Sequence, residues 1–138
     1  MSLFKVFDIA GSAMSAQSVR LNTTASNLAN AETVAASPDE AYRARQPVFA
    51  AMLKSLYGGD DASVGVRVAG VVESTAEPQQ RYAPDHPMAD EEGYIYLSNV
   101  NPVDEMVNMI SAARSYQNSV EVLNTSKQLM LATLRLGQ

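Results

Sequence analysis

The one histidine, His86, stands in an acidic stretch with Asp85, Asp90, Glu91 and Glu92, the densest set of groups in the chain that could hold a metal or move a proton. A calcium loop needs oxygen ligands at alternating positions around a glycine at a fixed point, and DHPMADEEG does not have that pattern. A single histidine excludes a multi-histidine metal site. Zero cysteines exclude thiolate zinc, disulfides and cysteine catalysis. The stretch therefore reads as a solvated acidic turn. Gly58-Gly59 belongs to no phosphate-cradling motif, there is no GxSxG, and no serine has a base near it in sequence. Met106, Met109 and Met130 recur at helical spacing, the pattern of a helix core or interface and not of a thioether metal cluster. The residues point to no catalytic, cofactor or metal site, and to no enzyme.

What remains is a question of assembly, so the elements matter more than any single group. The chain has 138 residues and a formal net charge of −5. That length suits one folding unit with a core of its own. An acidic chain is a poor binder of nucleic acid, which needs clustered Lys and Arg. No apolar run approaches the ~18 residues of a membrane span. At the N-terminus, Lys5 and Asp8 interrupt what would be the apolar block of a signal peptide, so no cleavage by signal peptidase is expected.

The composition divides the chain into three: residues 1–31, 32–101 and 102–138. All six prolines lie between Pro38 and Pro102, with five of the seven glycines. Apart from Gly11, Pro102 at the boundary and Gly137 next to the end, the two ends lack helix breakers, while the middle is full of them. Charge divides the same way: the middle carries eleven acids against five bases, the front is +1 and the back neutral. The front spacing Leu3, Phe7, Ala10, Met14, Gln17, Leu21, Thr24, Leu28, Ala31 predicts one long helix with a heptad-type stripe. The back does the same through Met106, Met109, Ala113, Tyr116, Val120, Leu123, Lys127, Met130 and Leu134. A second stripe of Val103, Val107, Ile110 and Leu131 makes that face wider than a two-helix seam needs. Pro102 suits the first helical turn, Asp104 and Glu105 the positive end of the helix dipole, Arg135 the other end and Gly137 the stop. Val64–Ser74 is the best strand candidate. Tyr42–Leu53 reads as a strand with an edge-type Pro47, or in part as helix, and Gly93–Leu97 as a further strand. The segments 31–41 and 57–63 read as loops. The expected class is mainly α with a small β module.

The first helix has an unusual outer face. From Ile9 to Ala31 the single charge is Arg20, and the polar positions are Ser, Thr, Asn and Gln. A surface helix normally carries charge on its exposed side. Compact uncharged residues of mediocre helix propensity fit a helix that gains order when neighbours bury it.

The residues also carry a resemblance. SNLANAET (Ser26–Thr33) resembles the signature near the front of rod and hook axial proteins. YRARQPVF, GVRVAGVVES and YAPDHPMADEEGYIYLSNVN are similar to the central region of proximal-rod subunits, and VDEMVNMISAARSYQNSVEVLNTSKQLMLATLRLGQ to their C-terminal helix. Nearly the whole chain is covered, and it resembles the proximal-rod members of the flagellar axial family. Pro47, Ala132 and the loops around Val34–Ala41 and Tyr57–Ser63 depart from the pattern. The resemblance implies export, without a cleaved signal peptide, through the flagellar type III apparatus and polymerisation in the periplasm. The terminal helices would pair as an antiparallel coiled coil in the rod's inner tube, with the middle outside. Implied partners are copies of itself, other proximal- and distal-rod proteins and the ring-to-rod adaptor. The implied assembly interface is Leu3, Phe7, Met14, Leu21, Asn27, Leu28 and Asn30 at the front, with Met106, Met109, Tyr116, Val120, Leu123, Met130 and Leu134 at the back. Phe49 and Leu53 match the Phe-x-x-x-hydrophobic motif that export gates recognise. The competing reading from the residues alone is a coiled-coil adaptor or secretion-associated interaction protein with no rod role.

Overall fold

A computed structural model describes residues 3–53 and 64–136. Two long helices, α1 (Leu3–Ala29) and α2 (Pro102–Leu136), enclose in sequence five short strands: β1 (Val34–Ala35), β2 (Arg45–Leu53), β3 (Val64–Glu73), β4 (Gln79–Tyr82) and β5 (Tyr94–Leu97). The architecture is two long helices with a small antiparallel β part, in line with the expected class.

The helices form where breakers are missing. At 27 and 35 residues, α1 and α2 are about 40 and 52 Å long. The start of α2 is set by side-chain capping: Asn101 Oδ1 accepts the amide of Val103 at 3.0 Å, with Pro102 as the first helical residue. The terminating Gly137 and the 57–63 loop lie outside the described residues.

The strands make two sheets. β2 and β3 form an antiparallel hairpin with a bulge at Val48/Phe49. The helical alternative for Tyr42–Leu53 does not occur, because valine-rich β3 offers β2 a full ladder. β5 lies between β1 and β4 in a second antiparallel sheet. Strands β1 and β4 were not expected: β1 has two residues inside a segment read as loop, and Gln79–Tyr82 shows no apolar alternation.

A two-stranded hairpin is marginal by itself, and here it leans on α1. Ser12 Oγ accepts the Val66 amide at 3.2 Å and donates to Ile9 O at 2.8 Å. Gly65 permits this approach, since a Cβ there would stand 3.1 Å from both Ser12 Oγ and Met52 Cε. The other face of α1 packs against α2, so α1 lies between the hairpin and the second helix.

The core is built of small residues. Among the described residues, every buried apolar side chain except Ile95 and Val100 is an alanine: Ala10, Ala16, Ala31, Ala35, Ala41, Ala44 and Ala112.

Candidate assembly interface

The two helices run antiparallel. Asn27, near the end of α1, meets Glu105 in the first turn of α2, and Arg20 meets Asn108 one turn on. Farther along, Val6, Ile9, Ala10 and Ala13 line one apolar groove together with Asn118, Ser119 and Val122. Among the buried and half-buried positions of α2, Glu105, Met109, Ala112, Tyr116, Ser119, Leu123, Ser126 and Met130 form one stripe in alternating four- and three-residue steps, flanked by half-buried Asn108, Ala113, Ser115 and Val120. Because α1 is the one described element that α2 packs against, this stripe faces α1.

The stripe departs from the expected one at its two ends. Met109, Tyr116, Leu123 and Met130 belong to it as expected. Glu105 and Ser126 are buried where Met106 and Lys127 were expected and are exposed, while Ala113 and Val120 stay half-buried beside Ala112 and Ser119. The reason is size. Alanine and serine let two helix axes approach closely, and the fully buried Ala112 marks the tightest part. The bulkier residues are turned outward: Val103, Met106, Val107 and Ile110 are all more than half exposed.

One buried polar node ties the helices to the hairpin. Asn27 is 1% exposed. Its Nδ2 donates to Arg45 O at 2.8 Å and to Glu105 Oε2 at 3.2 Å. Its Oδ1 accepts from the Arg45 amide at 2.9 Å and from the Tyr42 hydroxyl at 3.0 Å. All four of its hydrogen-bonding positions are filled. A second asparagine does similar work nearby: Asn99 Oδ1 accepts the Ala44 amide and Nδ2 donates to Ala76 O. Together they hold the start of β2, where Ala31, Ala44 and Val100 pack with Tyr42. Beside the node, Arg20 donates to Asn108 Oδ1 at 3.2 Å and shares a cleft of about 250 Å³ with Glu105, Phe49 and Arg45.

Of the residues expected at an interface, Asn27 lies inside the subunit with its partners in the same chain. Phe7, Met14, Leu21, Leu28 and Asn30 on or beside α1, and Val120 on α2, are half-buried, while Met106 and Leu134 are exposed. Asn30 Nδ2 donates to Ser26 O and helps end α1. The side chains of Leu3 and Leu53 lie outside the described residues. Phe49 sits in strand β2, opposite Val68, and is partly exposed. Tyr42, Arg45, Asn99 and Glu105 were not foreseen as a network, because nothing in their spacing shows that residues so far apart converge.

The acidic stretch is a hydrogen-bonded turn. Asp90 Oδ1 accepts the amides of Tyr94 and Glu92 at 2.8 and 3.0 Å, and Oδ2 accepts the Tyr96 hydroxyl at 3.1 Å. The Tyr94 amide, helped by the Tyr96 hydroxyl and the Glu92 and Gly93 amides against a smaller cost of burial, holds the Asp90 carboxyl below its ordinary value of 3.8. Asp90 in turn raises the Tyr96 hydroxyl above its ordinary value. Gly93 closes the turn with φ +82°, a conformation other residues rarely adopt. His86 Nδ1 accepts the Met88 amide. Among the described residues no group of three or more His, Asp or Glu side chains is placed to hold a metal, and no helix is long and apolar enough to cross a membrane.

Comparison with known proteins bears on this arrangement directly. Residues 7–36 match the family model of the flagella basal body rod protein, and residues 91–136 match that of the flagellar basal body rod FlgEFG protein C-terminal region. These segments cover most of α1 and all of α2. The flagellar basal-body rod protein FlgC of Escherichia coli O6:H1 is 53% identical over 138 residues, spanning the whole of both chains. The same protein of Salmonella typhimurium is 52% identical over 138 residues, and that of Buchnera aphidicola from Acyrthosiphon pisum 43% over 141, again end to end. Likeness of this degree across helices, hairpin and turn alike means that the chain belongs to the FlgC family of flagellar basal-body rod proteins.

Proposed function

We propose that the chain polymerises through its two terminal helices into the helical shaft of the proximal rod, and that this shaft carries torque. Its family makes it a structural subunit of the flagellar basal-body rod and not an enzyme, so an adaptor with no rod role is set aside. The observation that carries the polymerisation reading is an inversion of size. The interior is mostly alanine, while Phe4, Val103, Met106, Val107, Ile110, Leu129 and Leu134 stand more than half exposed. Val103, Met106, Val107 and Ile110 share one side of α2, and an exposed apolar cluster of this kind marks an interaction site. Neighbouring subunits would complete the burial, through head-to-tail contacts that do not close into a ring.

In this reading residues 1–31 and 102–138 form the axial core, where the four-three steps of the α1–α2 contact continue as an antiparallel coiled coil. Residues 32–101 form the outer module. Tight packing of small side chains suits a shaft that must transmit strain. The subunit reaches the periplasm unfolded, through the flagellar type III apparatus and without a cleaved signal peptide. Its neighbours there are copies of itself, other proximal- and distal-rod proteins and the ring-to-rod adaptor. Phe49 and Leu53 act before folding, as the motif read by the export gate. Phe49→Ala should lower the amount exported while purified protein polymerises as before, and a normal periplasmic level would remove that role.

Cryo-microscopy of intact rods from cells making this chain tests the main reading. The two helices are expected in the inner tube with the outward face of α2 covered. A map with the 32–101 module innermost, or with Val103–Ile110 facing solvent, would overturn it.

A further inference from the structure

Where α1, α2 and β2 meet, the cleft of about 250 Å³ is lined by polar groups that the chain itself leaves unused. Thr24 is 4% exposed, and its hydroxyl has no hydrogen-bond partner among the described residues. Glu105 is 6% exposed. Its Oε2 accepts from Asn27 Nδ2, while Oε1 accepts from no described residue. Arg20 gives one N–H to Asn108 Oδ1, and the rest of its fork has no partner among the described residues. No ion pair joins Arg20 to Glu105. Asn108 follows Glu105 by three residues, so the two opposite charges stand about one turn of α2 apart and face the same cleft. Arg45, also on its wall, is already paired with Glu73 at 3.0 Å. Pro47 and Phe49 make the apolar part of the lining. Buried polar groups normally have partners. Water can serve a hydroxyl, but a carboxylate this deep calls for a cation.

We propose that this cleft binds a small α-amino acid in its zwitterionic form. The ammonium donates to Glu105 Oε1 and Thr24 Oγ1, and the carboxylate accepts from the Arg20 fork. Charge selects the class of ligand. With Arg45 neutralised by Glu73, the cleft keeps one positive and one negative group. A simple anion held by Arg20 would lie near Glu105, and a simple cation held by Glu105 would lie near Arg20. A zwitterion satisfies both at once, because its two charged groups share one carbon. Size selects the member. Sites for drug-sized molecules run to ~300–1,000 Å³, and this cleft is smaller. The ligand therefore has few heavy atoms, with a short apolar side chain resting on Pro47 and Phe49. Once bound it bridges α1 and α2 beside β2, the three elements that Asn27 joins, and stabilises the folded chain by mass action. The site belongs to the single subunit and is independent of how copies assemble.

The test titrates the isotope-labelled full chain with L-alanine and follows the amide signals of Thr24, Glu105 and Asn108 by NMR. These signals should shift together and saturate, with a Kd of about 1 mM. Four probes separate the features of the ligand. Acetate carries only the anion and ethylammonium only the cation. Glycine betaine has both charges but no N–H, and acetamide has a donor and an acceptor but no charge. Each should bind about tenfold more weakly than L-alanine or not at all. Glu105→Gln and Arg20→Met should each weaken L-alanine about tenfold or more, since each removes a charge-assisted hydrogen bond. Thr24→Val keeps the shape, should weaken it about threefold, and carries the test if a charge variant does not fold. No saturable shift up to about 50 mM L-alanine would mean that the cleft holds water only, and the proposal falls. It falls equally if acetamide or betaine binds as well as L-alanine, or if Thr24→Val and the charge variants that fold bind it as tightly as the unsubstituted chain.

Discussion

Asn27 fills every hydrogen-bonding position it has, and it does so across three parts of the chain: the end of α1, the start of β2 and the first turn of α2. Truncation removes the partner of the Arg45 amide and carbonyl and leaves the Tyr42 hydroxyl with Ser26 Oγ alone, at 3.4 Å, around a position that is 1% exposed. Each buried orphan costs about 1–3 kcal/mol. Asn27→Ala should therefore destabilise the isolated chain by roughly 3 kcal/mol or more. Urea denaturation would show it, and a loss under 1 kcal/mol would mean that the node is open to water. The signature residue thus acts from inside the subunit, by fixing how the hairpin hangs from the helix pair. Asp90 does a smaller version of this work in the β4–β5 turn. Its carboxyl is held below its ordinary value of 3.8, so the folded state favours the charged form. The stabilisation is complete above that ordinary value and is lost as pH falls through the lower folded value. The amide signals of Glu92 and Tyr94 should shift together in that acidic window, and Asp90→Asn should abolish the shared transition. Separate titrations of the two amides would show that Asp90 does not staple the turn.

The elements depend on close approach more than on bulk. Gly65 is the point where hairpin and helix touch most tightly, with Ser12 anchored on both sides by its own hydrogen bonds. A methyl group there must push Ser12 or the flexible tip of Met52. Gly65→Ala should cost about 1–2 kcal/mol, visible as a lower melting temperature. Gly70→Ala, in the same strand with open space around it, should be neutral or slightly stabilising. Equal effects at both positions would mean that the hairpin does not rest on Ser12. Much of this level was legible beforehand. Breaker-free ends foretold two helices, and the valine run foretold β3. The contact stripe was less legible, because periodicity follows the bulkiest residues. Here those residues serve the outside, and Ala112, Ser119 and Ser126 serve the contact between helices. β1 and β4 escaped notice for a related reason: they exist because β5 gives them an edge to pair with, and neither has an apolar pattern of its own. The Asn27 node was half legible, as a motif without a mechanism, since its partners come from three separate stretches of the chain.

At the scale of the molecule, the helix pair is unequal in length. The Asn27–Glu105 and Arg20–Asn108 pairings set the start of α1 at Leu3 opposite about residue 127 of α2, while α2 runs on to Leu136. The last two and a half turns of α2 therefore run past the start of α1, and they carry Leu131 and Leu134 exposed. A helical end without tertiary packing is held by little more than its own backbone bonds. The alanine core tells the same story: a unit that buries few large side chains has little hydrophobic stabilisation to share with its periphery. Local stability should thus be graded along α2. In the isolated chain, amides of 131–136 should exchange close to the unfolded rate, while those of 109–123, packed against α1, should be protected at least a hundredfold. In assembled rods the 131–136 amides should gain at least tenfold protection, because subunits that cover the exposed leucines also quench fraying. Hydrogen exchange on both forms decides the point. Unchanged exchange of 131–136 on assembly would show that this end of the helix stays bare in the rod, and that the exposed leucines serve something other than contacts between subunits.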